Sequence, residues 1–404
     1  MKTIKSVMKL LSVLLLSLLF LIPVSEVSAS KTEEILLNQG DPVSSESKLL
    51  DPTELYESDI EYSEMINQEF NGLLSYWGGD YPDYYAGSFI SNRQFTILVT
   101  CEPQEIQAEI WNVTGNSDII IEKASCSYND LRSIQDQITE LITELRSNNN
   151  SIANLVVGIG VDEVRNDVFV EVLNMDENVR RNIEEILAPF GTIRLVSKNE
   201  PYQEMTTVTA GTDTWLTNST LNSHSTIGFC ASRVNSAGVT EKGFVTAGHS
   251  GNLTNTMTIF GSSVGKISWR KFGGNCDACF VNMNEYPNSG FVRSTVLSSY
   301  YTIGSYASVS VVGTTYALHG KSSGIIYGTV DCTSFNFSMS GVSFTDHIRM
   351  NMHVVSGDSG GPLVGTSSGS TKYVVGICSS GDSTYSNFTK ATNIINGMSG
   401  DLFH

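Results

Sequence analysis

The hexapeptide Gly357-Asp358-Ser359-Gly360-Gly361-Pro362 has the composition of a turn built to present a nucleophile. Glycine tolerates backbone angles closed to other residues and lets a ligand approach the main chain. Ser359 on such a turn would stand beside outward-pointing amide hydrogens. A serine hydroxyl is a weak nucleophile until a base is held beside it, so the rest of the chain must supply one. An ordinary surface turn is the alternative, since Gly, Asp and Ser are common turn formers.

Histidine is the natural base, with an unperturbed pKa near neutrality. Of the six histidines, His224 and His404 lie in polar or terminal sequence, and His319 and His347 lie beside turn-like stretches, which reads as surface. His353 is six residues from Ser359, across a turn. His249 differs: it closes Gly243-Phe244-Val245-Thr246-Ala247-Gly248, an apolar strand pattern running into a Gly-His turn. A third group should orient the imidazole and stabilise its charged form, which a buried carboxylate does. Only nine acidic residues follow position 207. Asp358 reads as a turn residue, and Asp213, Glu241, Asp331, Asp382 and Asp401 have polar neighbours. Asp277 lies in Asn275-Cys276-Asp277-Ala278-Cys279-Phe280-Val281, a lone carboxylate in an apolar run. A buried charge without a partner is costly, so Asp277 should have one: the imidazole, or a Lys or Arg.

The elements that must hold these residues lie in the second half of the chain, which differs in texture from the first. Of the 42 acidic residues 33 precede position 208, with 14 of the 24 basic ones, whereas 26 of the 35 glycines and all six histidines follow it. From about Thr207 short β-branched and aromatic runs, among them Thr256 to Phe260, Ala307 to Val312, Ile325 to Val330 and Lys372 to Ile377, alternate with Gly, Ser, Asn and Asp. Many short strands between turn signals predict an all-β barrel or sandwich, with room for two small barrels.

The first half reads as an α+β unit over residues 50–200, with no motif that carries chemistry. Helices are expected at Asp51 to Leu74, at Asn129 to Arg146, where Leu131, Ile134, Ile138, Leu141 and Leu145 follow the 3-4 spacing of one apolar face, and from a cap at Asp176 to Leu187. Strands are expected at Ala86 to Ile90, Phe95 to Val99, Asp118 to Ile121, Ile193 to Val196, and in a hairpin of Leu155 to Val161 with Val168 to Leu173. Residues 1–29 have the pattern of a signal peptide: Lys2, Lys5 and Lys9, the apolar run Leu10 to Ile22, then Val27-Ser28-Ala29. Ser30 to Lys48 is a polar, acidic lead-in. The composition thus predicts an exported chain with an acidic pro-region at about 30–207 and a functional domain at 208–404. No basic cluster suits nucleic acid, and no later run is long enough to span a bilayer. Export permits disulfides, but the seven cysteines are an odd number.

Thr246-Ala247-Gly248-His249, then Asp277, then Gly357-Asp358-Ser359-Gly360-Gly361 resembles the chymotrypsin-like serine proteases, whose triad runs His, Asp, Ser. More narrowly, the chain resembles the bacterial alpha-lytic protease and streptogrisin branch. The resemblance covers about residues 208–400 and extends more loosely to the pro-region. It implies two six-stranded antiparallel β-barrels behind an α+β pro-region, with His249, Asp277 and Ser359 as the triad. It further implies an oxyanion hole from the Gly357 and Ser359 amides, with Ser379-Ser380-Gly381 as the strand that pairs with substrate and Ser379 within reach of Asp277. His353, Val354, Val355 and Ser356 would line one wall of the specificity pocket and Cys378 another. The activity implied is a secreted serine endopeptidase without cofactor or metal, acting on protein or peptide substrates and carrying its own pro-region as folding aid and inhibitor.

The sequence departs from the branch in its cysteines. Ser250 stands where the partner of Cys230 is usual, Ala317 and Tyr327 replace another pair, and His353 replaces one half of a third. Cys230, Cys276, Cys279, Cys332 and Cys378 must pair differently or stay reduced. His353 in place of an acid argues against cleavage after Lys or Arg, and Cys378 in place of a histidine removes the usual support for cleavage after Glu. An apolar preference follows, with a glutamate preference through His353, or a silent homologue kept as a binding protein, as alternatives. An esterase is disfavoured because no Gly-x-Ser-x-Gly elbow follows a strand and precedes a helix.

Overall fold

The first described element is an amphipathic helix, α1 (Pro52–Tyr76), whose Ile66, Phe70 and Leu73 are buried at the 3-4 spacing of one face. The computed structural model describes residues 52–402 apart from 192, 205–215, 219–222, 260, 286–295, 299–300, 310 and 369–370. The leader expected at 1–29, the acidic lead-in, Asp213 and His404 lie outside the described residues.

The α+β region continues through β1 (Tyr85–Ser91), β2 (Gln94–Val99), α2 (Pro103–Thr114), β3 (Ile120–Lys123), α3 (Tyr128–Ser147), β4 (Val156–Asp162), β5 (Asp167–Leu173), α4 (Glu177–Leu187), β6 (Arg194–Lys198) and the two-residue β7 (Gln203–Glu204). Helix α3 starts at Ser127, whose side chain accepts from the Asp130 amide at 3.1 Å, and α4 starts at Asp176, which accepts from the Asn178 and Val179 amides. The buried stripe of α3 is Tyr128, Leu131, Gln135, Ile138 and Ile142. It is rotated from the expected one because Gln135 turns inward to donate to the carbonyls of Ile159 and Ser334. Helix α2, which the sequence did not announce, starts with a proline, whose missing amide hydrogen costs nothing there.

The β region forms two sheets. The first comprises β8 (Leu216–Asn218), β9 (Ser223–Ser225), β10 (Cys230–Val234), β11 (Thr240–Thr246), β12 (Thr256–Ile259), β13 (Ser262–Gly273) and β14 (Cys276–Asn282). The second comprises β15 (Val296–Ser298), β16 (Tyr301–Tyr306), β17 (Thr315–Gly320), β18 (Gly324–Met339), β19 (Val342–Asn351), β20 (Pro362–Ser368), β21 (Thr371–Gly381) and β22 (Ser386–Lys390). Helix α5 (Ala391–Met398) then returns the chain to β23 (Gly400–Leu402), which closes the edge of the first sheet beside β10. Two six-stranded antiparallel β-barrels were expected; among the described residues short edge segments bring eight strands of this region to each sheet, and β16 runs parallel to β21. Ala307 to Val312, expected as a strand, lies between β16 and β17, and its described residues belong to no strand, Val312 forming an isolated bridge to Phe89.

A shared core binds the sheets: Phe229, Val245, Ala278 and Phe280 from the first pack with Ala317, Val364, Val374 and Ile377 from the second and with Ile394 and Ile395 of α5. The α+β region adds strands to the second sheet. Gly158 to Gly160 of β4 pair antiparallel with Phe335 to Phe337 of β18, so that β4, β5 and β6 extend the sheet by three strands. Phe169 and Tyr202 pack there against Phe335 and Phe337, and Arg349 of β19 reaches Glu171 of β5 at 2.7 Å. No disulfide joins any two of the seven cysteines, all of which lie among the described residues. Those of the β region are buried small hydrophobes. Among the described residues no helix is long and apolar enough to cross a membrane.

Candidate active site

Strand β11 ends at Thr246, and after Ala247 a single helical turn, Gly248–Ser250, delivers His249. β14 carries Asp277 as its second residue, and the turn before β20 carries Ser359. All three are buried, and the structure brings them together. His249 Nε2 lies 2.8 Å from Ser359 Oγ, and His249 Nδ1 lies 2.7 Å from Asp277 Oδ2. Asp277 Oδ1 accepts from the His249 amide at 2.9 Å, and Ser379 Oγ donates to Oδ2 at 2.6 Å. Burial alone would raise the Asp277 carboxyl, but the adjacent His249 ring and the donated hydrogen bonds hold it below its usual value. Burial raises the flanking Cys276 and Cys279 thiols, and the Asp277 charge adds to it, so both stay protonated.

Asp358 is more than a turn residue. Its buried carboxylate accepts from the amides of Ser322 and Ser323 at 2.8 and 3.0 Å, from the Ser323 hydroxyl, and from the Val355 amide at 3.0 Å. These bonds tie the serine turn to the β17–β18 hairpin. Gly320 makes room for this, since a Cβ there would stand 2.3 Å from Asp358 Oδ1. Gly360 likewise meets two demands that exclude a side chain: a φ of +83°, and Thr246 Oγ1 at 2.2 Å from where a Cβ would be. Neither the Gly357 nor the Ser359 amide donates to a backbone carbonyl among the described residues.

Ser380 and Gly381 pair antiparallel with Glu204 and Gln203, so β7 occupies this edge of β21. His353 is exposed, its Nδ1 3.1 Å from the Asp382 carbonyl. Val354 is buried close to Gly381, while Val355 is exposed and Ser356 half-buried. Cys378 is fully buried in the core of the second sheet with Val354, Met352 and Phe388. Burial raises its thiol well above the ordinary value, so it carries no charge. His347, read as a surface residue, is instead fully buried. His319 is half-buried at the end of β17.

Residues 32–124 match a family model described as a Pro-like N-terminal domain. A comparison with curated protein sequences found no match. Similar solved structures include a Nocardiopsis protease, 23% identical over 47% of this chain and 97% of that one, TM-score 0.38. Another is a glutamic acid specific serine protease described as using a histidine triad in substrate binding, 23% identical over 45% and 95%, TM-score 0.37. A third is a chymotrypsin of Cellulomonas bogoriensis, 22% identical over 47% and 96%, TM-score 0.36. These solved structures are bacterial chymotrypsin-like proteases, each spanned almost to its full length by less than half of this chain.

Proposed function

We propose that the chain is the zymogen of a secreted serine endopeptidase, with a signal peptide at 1–29, a pro-region at about 30–207 and the enzyme at 208–404. The observation that carries this reading is the unbroken contact from Asp277 through His249 to Ser359, at 2.7 and 2.8 Å. In this reading Ser359 Oγ attacks the scissile carbonyl carbon while His249 Nε2 takes its proton. The His249 ring, held by Asp277 through Nδ1, returns that proton to the departing amine, leaving an acyl-enzyme. Water, deprotonated by His249, then releases the acid and regenerates the serine. The Gly357 and Ser359 amides are assigned to the oxyanion, where loss of one donor typically costs ~3 kcal/mol.

The pairing of β7 with Ser380 and Gly381 supports self-inhibition, because a substrate backbone would use that edge of β21. Val354 and the uncharged Cys378 support a pocket for apolar side chains. The reading is tested by treating the secreted protein with a fluorophosphonate. A single adduct on Ser359, absent from His249→Ala, is the expected result, and a wild type that takes up no adduct after maturation would oppose it.

A further inference from the structure

We propose that His347 is a positioning residue for Asp277 and acts on it through the hydroxyl of Thr389. The proposal rests on the serine protease reading above.

The carboxylate of Asp277 faces His249 and Ser379, but its backbone is held from the other side. The Asp277 amide donates to Thr389 Oγ1 at 3.1 Å. That oxygen lies 3.0 Å from His347 Nε2 and 3.3 Å from the Asp277 carbonyl. His347 Nδ1 in turn lies 3.0 Å from the Thr345 carbonyl. Asp277, Thr389 and His347 are all fully buried. Phe337 and Phe344 stand edge-on to the imidazole, with centroids 5.1 and 5.6 Å away, and fix its plane.

The proton positions follow from the partners. A carbonyl only accepts, so His347 Nδ1 carries the hydrogen. Burial pushes the ring's pKa down to about 4, against the Thr345 carbonyl and the charges of Asp277 and Asp346 that raise it and with Lys390 assisting, so the ring is neutral near pH 7. Nε2 therefore presents a lone pair that the Thr389 hydroxyl can satisfy. A hydroxyl has one proton to give. Given to Nε2 at the shorter distance, it leaves the Thr389 oxygen facing the Asp277 amide as an acceptor. The imidazole thus sets the direction of the hydroxyl, and the hydroxyl sets the position of the residue that orients His249. Packing alone does not require a histidine here, since an apolar ring would fill the site without claiming the Thr389 proton.

The test is a double-mutant cycle on the secreted, matured enzyme with a peptide substrate, using Thr389→Val, His347→Phe and both together. Each single change is expected to lower kcat roughly tenfold with KM within about twofold, and the double to be no worse than Thr389→Val, because residues acting as a unit are not additive. The acid limb of the kcat/KM profile should move in both singles, and Thr389→Ser should restore kcat. Losses that multiply in the double, or that fall on KM with an unmoved pH profile, would overturn the proposal. Should a variant fail to mature, the cycle is read in Ser359→Ala precursors from the downfield proton resonance between His249 and Asp277. Equal displacement in both singles and the double is expected, and an unmoved resonance contradicts the proposal. A wild type without hydrolytic activity would instead defeat the protease reading, and the resonance would still decide the role of His347.

Discussion

Glu163 and Thr333 meet across the boundary between the α+β and β regions: the Thr333 hydroxyl donates to Glu163 Oε1 at 2.8 Å, and both residues are buried. The other carboxylate oxygen accepts from the Ser88 amide at 3.0 Å. Burial raises the Glu163 carboxyl to about 7, with these hydrogen bonds and Arg132 opposing it. A carboxyl raised in the folded state contributes stability that is full below its ordinary value and is lost as pH climbs through the raised one. The Ser359→Ala precursor should thus lose up to about 3 kcal/mol from this group between pH 4.5 and 8. Urea unfolding of that precursor with and without Glu163→Gln checks this. The substitution should flatten the loss on the alkaline side, and parallel pH profiles would refute the assignment.

The boundary is also held by a buried ion pair. Arg349 reaches Glu171 of the α+β region at 2.7 Å and Asp331 of its own region at 2.6 Å, and Tyr202 donates to the second Glu171 oxygen at 2.8 Å. Removing one partner of a buried pair strands the other charge, at a cost of about 3–5 kcal/mol. Glu171→Ala in the Ser359→Ala precursor is expected to cost toward the low end of that range in urea unfolding, because Asp331 stays beside Arg349. A change under about 1 kcal/mol would place the docking energy in the β4–β18 pairing and the aromatic cluster instead.

The Asp358 brace predicts sensitivity at a residue remote from catalysis in sequence. A methyl group at Gly320 would stand 2.3 Å from Asp358 Oδ1 and must displace the serine turn or the β17–β18 hairpin. A shift of about 1 Å in a reacting group costs on the order of 100-fold in rate. Gly320→Ala is therefore expected to depress kcat by about that factor while the protein stays folded by circular dichroism. Full activity in the variant would show that the brace does not position Ser359.

Specificity is tested by cleavage of a peptide library with the matured enzyme. On the proposed assignment of Val354 and the neutral Cys378 to the pocket, cleavage should follow apolar side chains of medium or large size. Dominant cleavage after Glu would assign the pocket to His353, and dominant cleavage after Lys or Arg would reject it as apolar.

The residues of the central contact were legible where chemistry leaves a local mark. Asp277 is a lone carboxylate in an apolar run, and His249 closes a strand on a glycine turn. Asp358 was illegible because its partners, Ser322 and Ser323, lie some 35 positions away, and Gly-Asp-Ser alone spells a turn. His347 was read as surface because it lies beside a turn-like stretch. The turn falls at Ser340 and Gly341, however, and β19 directs the ring into the core. Ala307 to Val312 has the composition of a strand, yet its burial comes from packing, with Val311 in the core of the α+β region. The other buried members of that core lie between Ile66 and Leu187, more than 120 positions earlier in the chain and beyond the reach of local pattern. The addition of β4 to β18 is equally non-local, since each reads only as a strand.

The central claim is that Ser359, activated by His249, cuts the chain's own pro-region. It is tested most directly by the intact mass of the secreted wild type and of Ser359→Ala. Because β7 ends at Glu204 on the Ser380–Gly381 edge, the wild type should mature to about 200 residues with its new N-terminus within residues 205–208. Ser359→Ala should persist as the uncleaved precursor. Identical maturation of the two proteins would contradict self-cleavage.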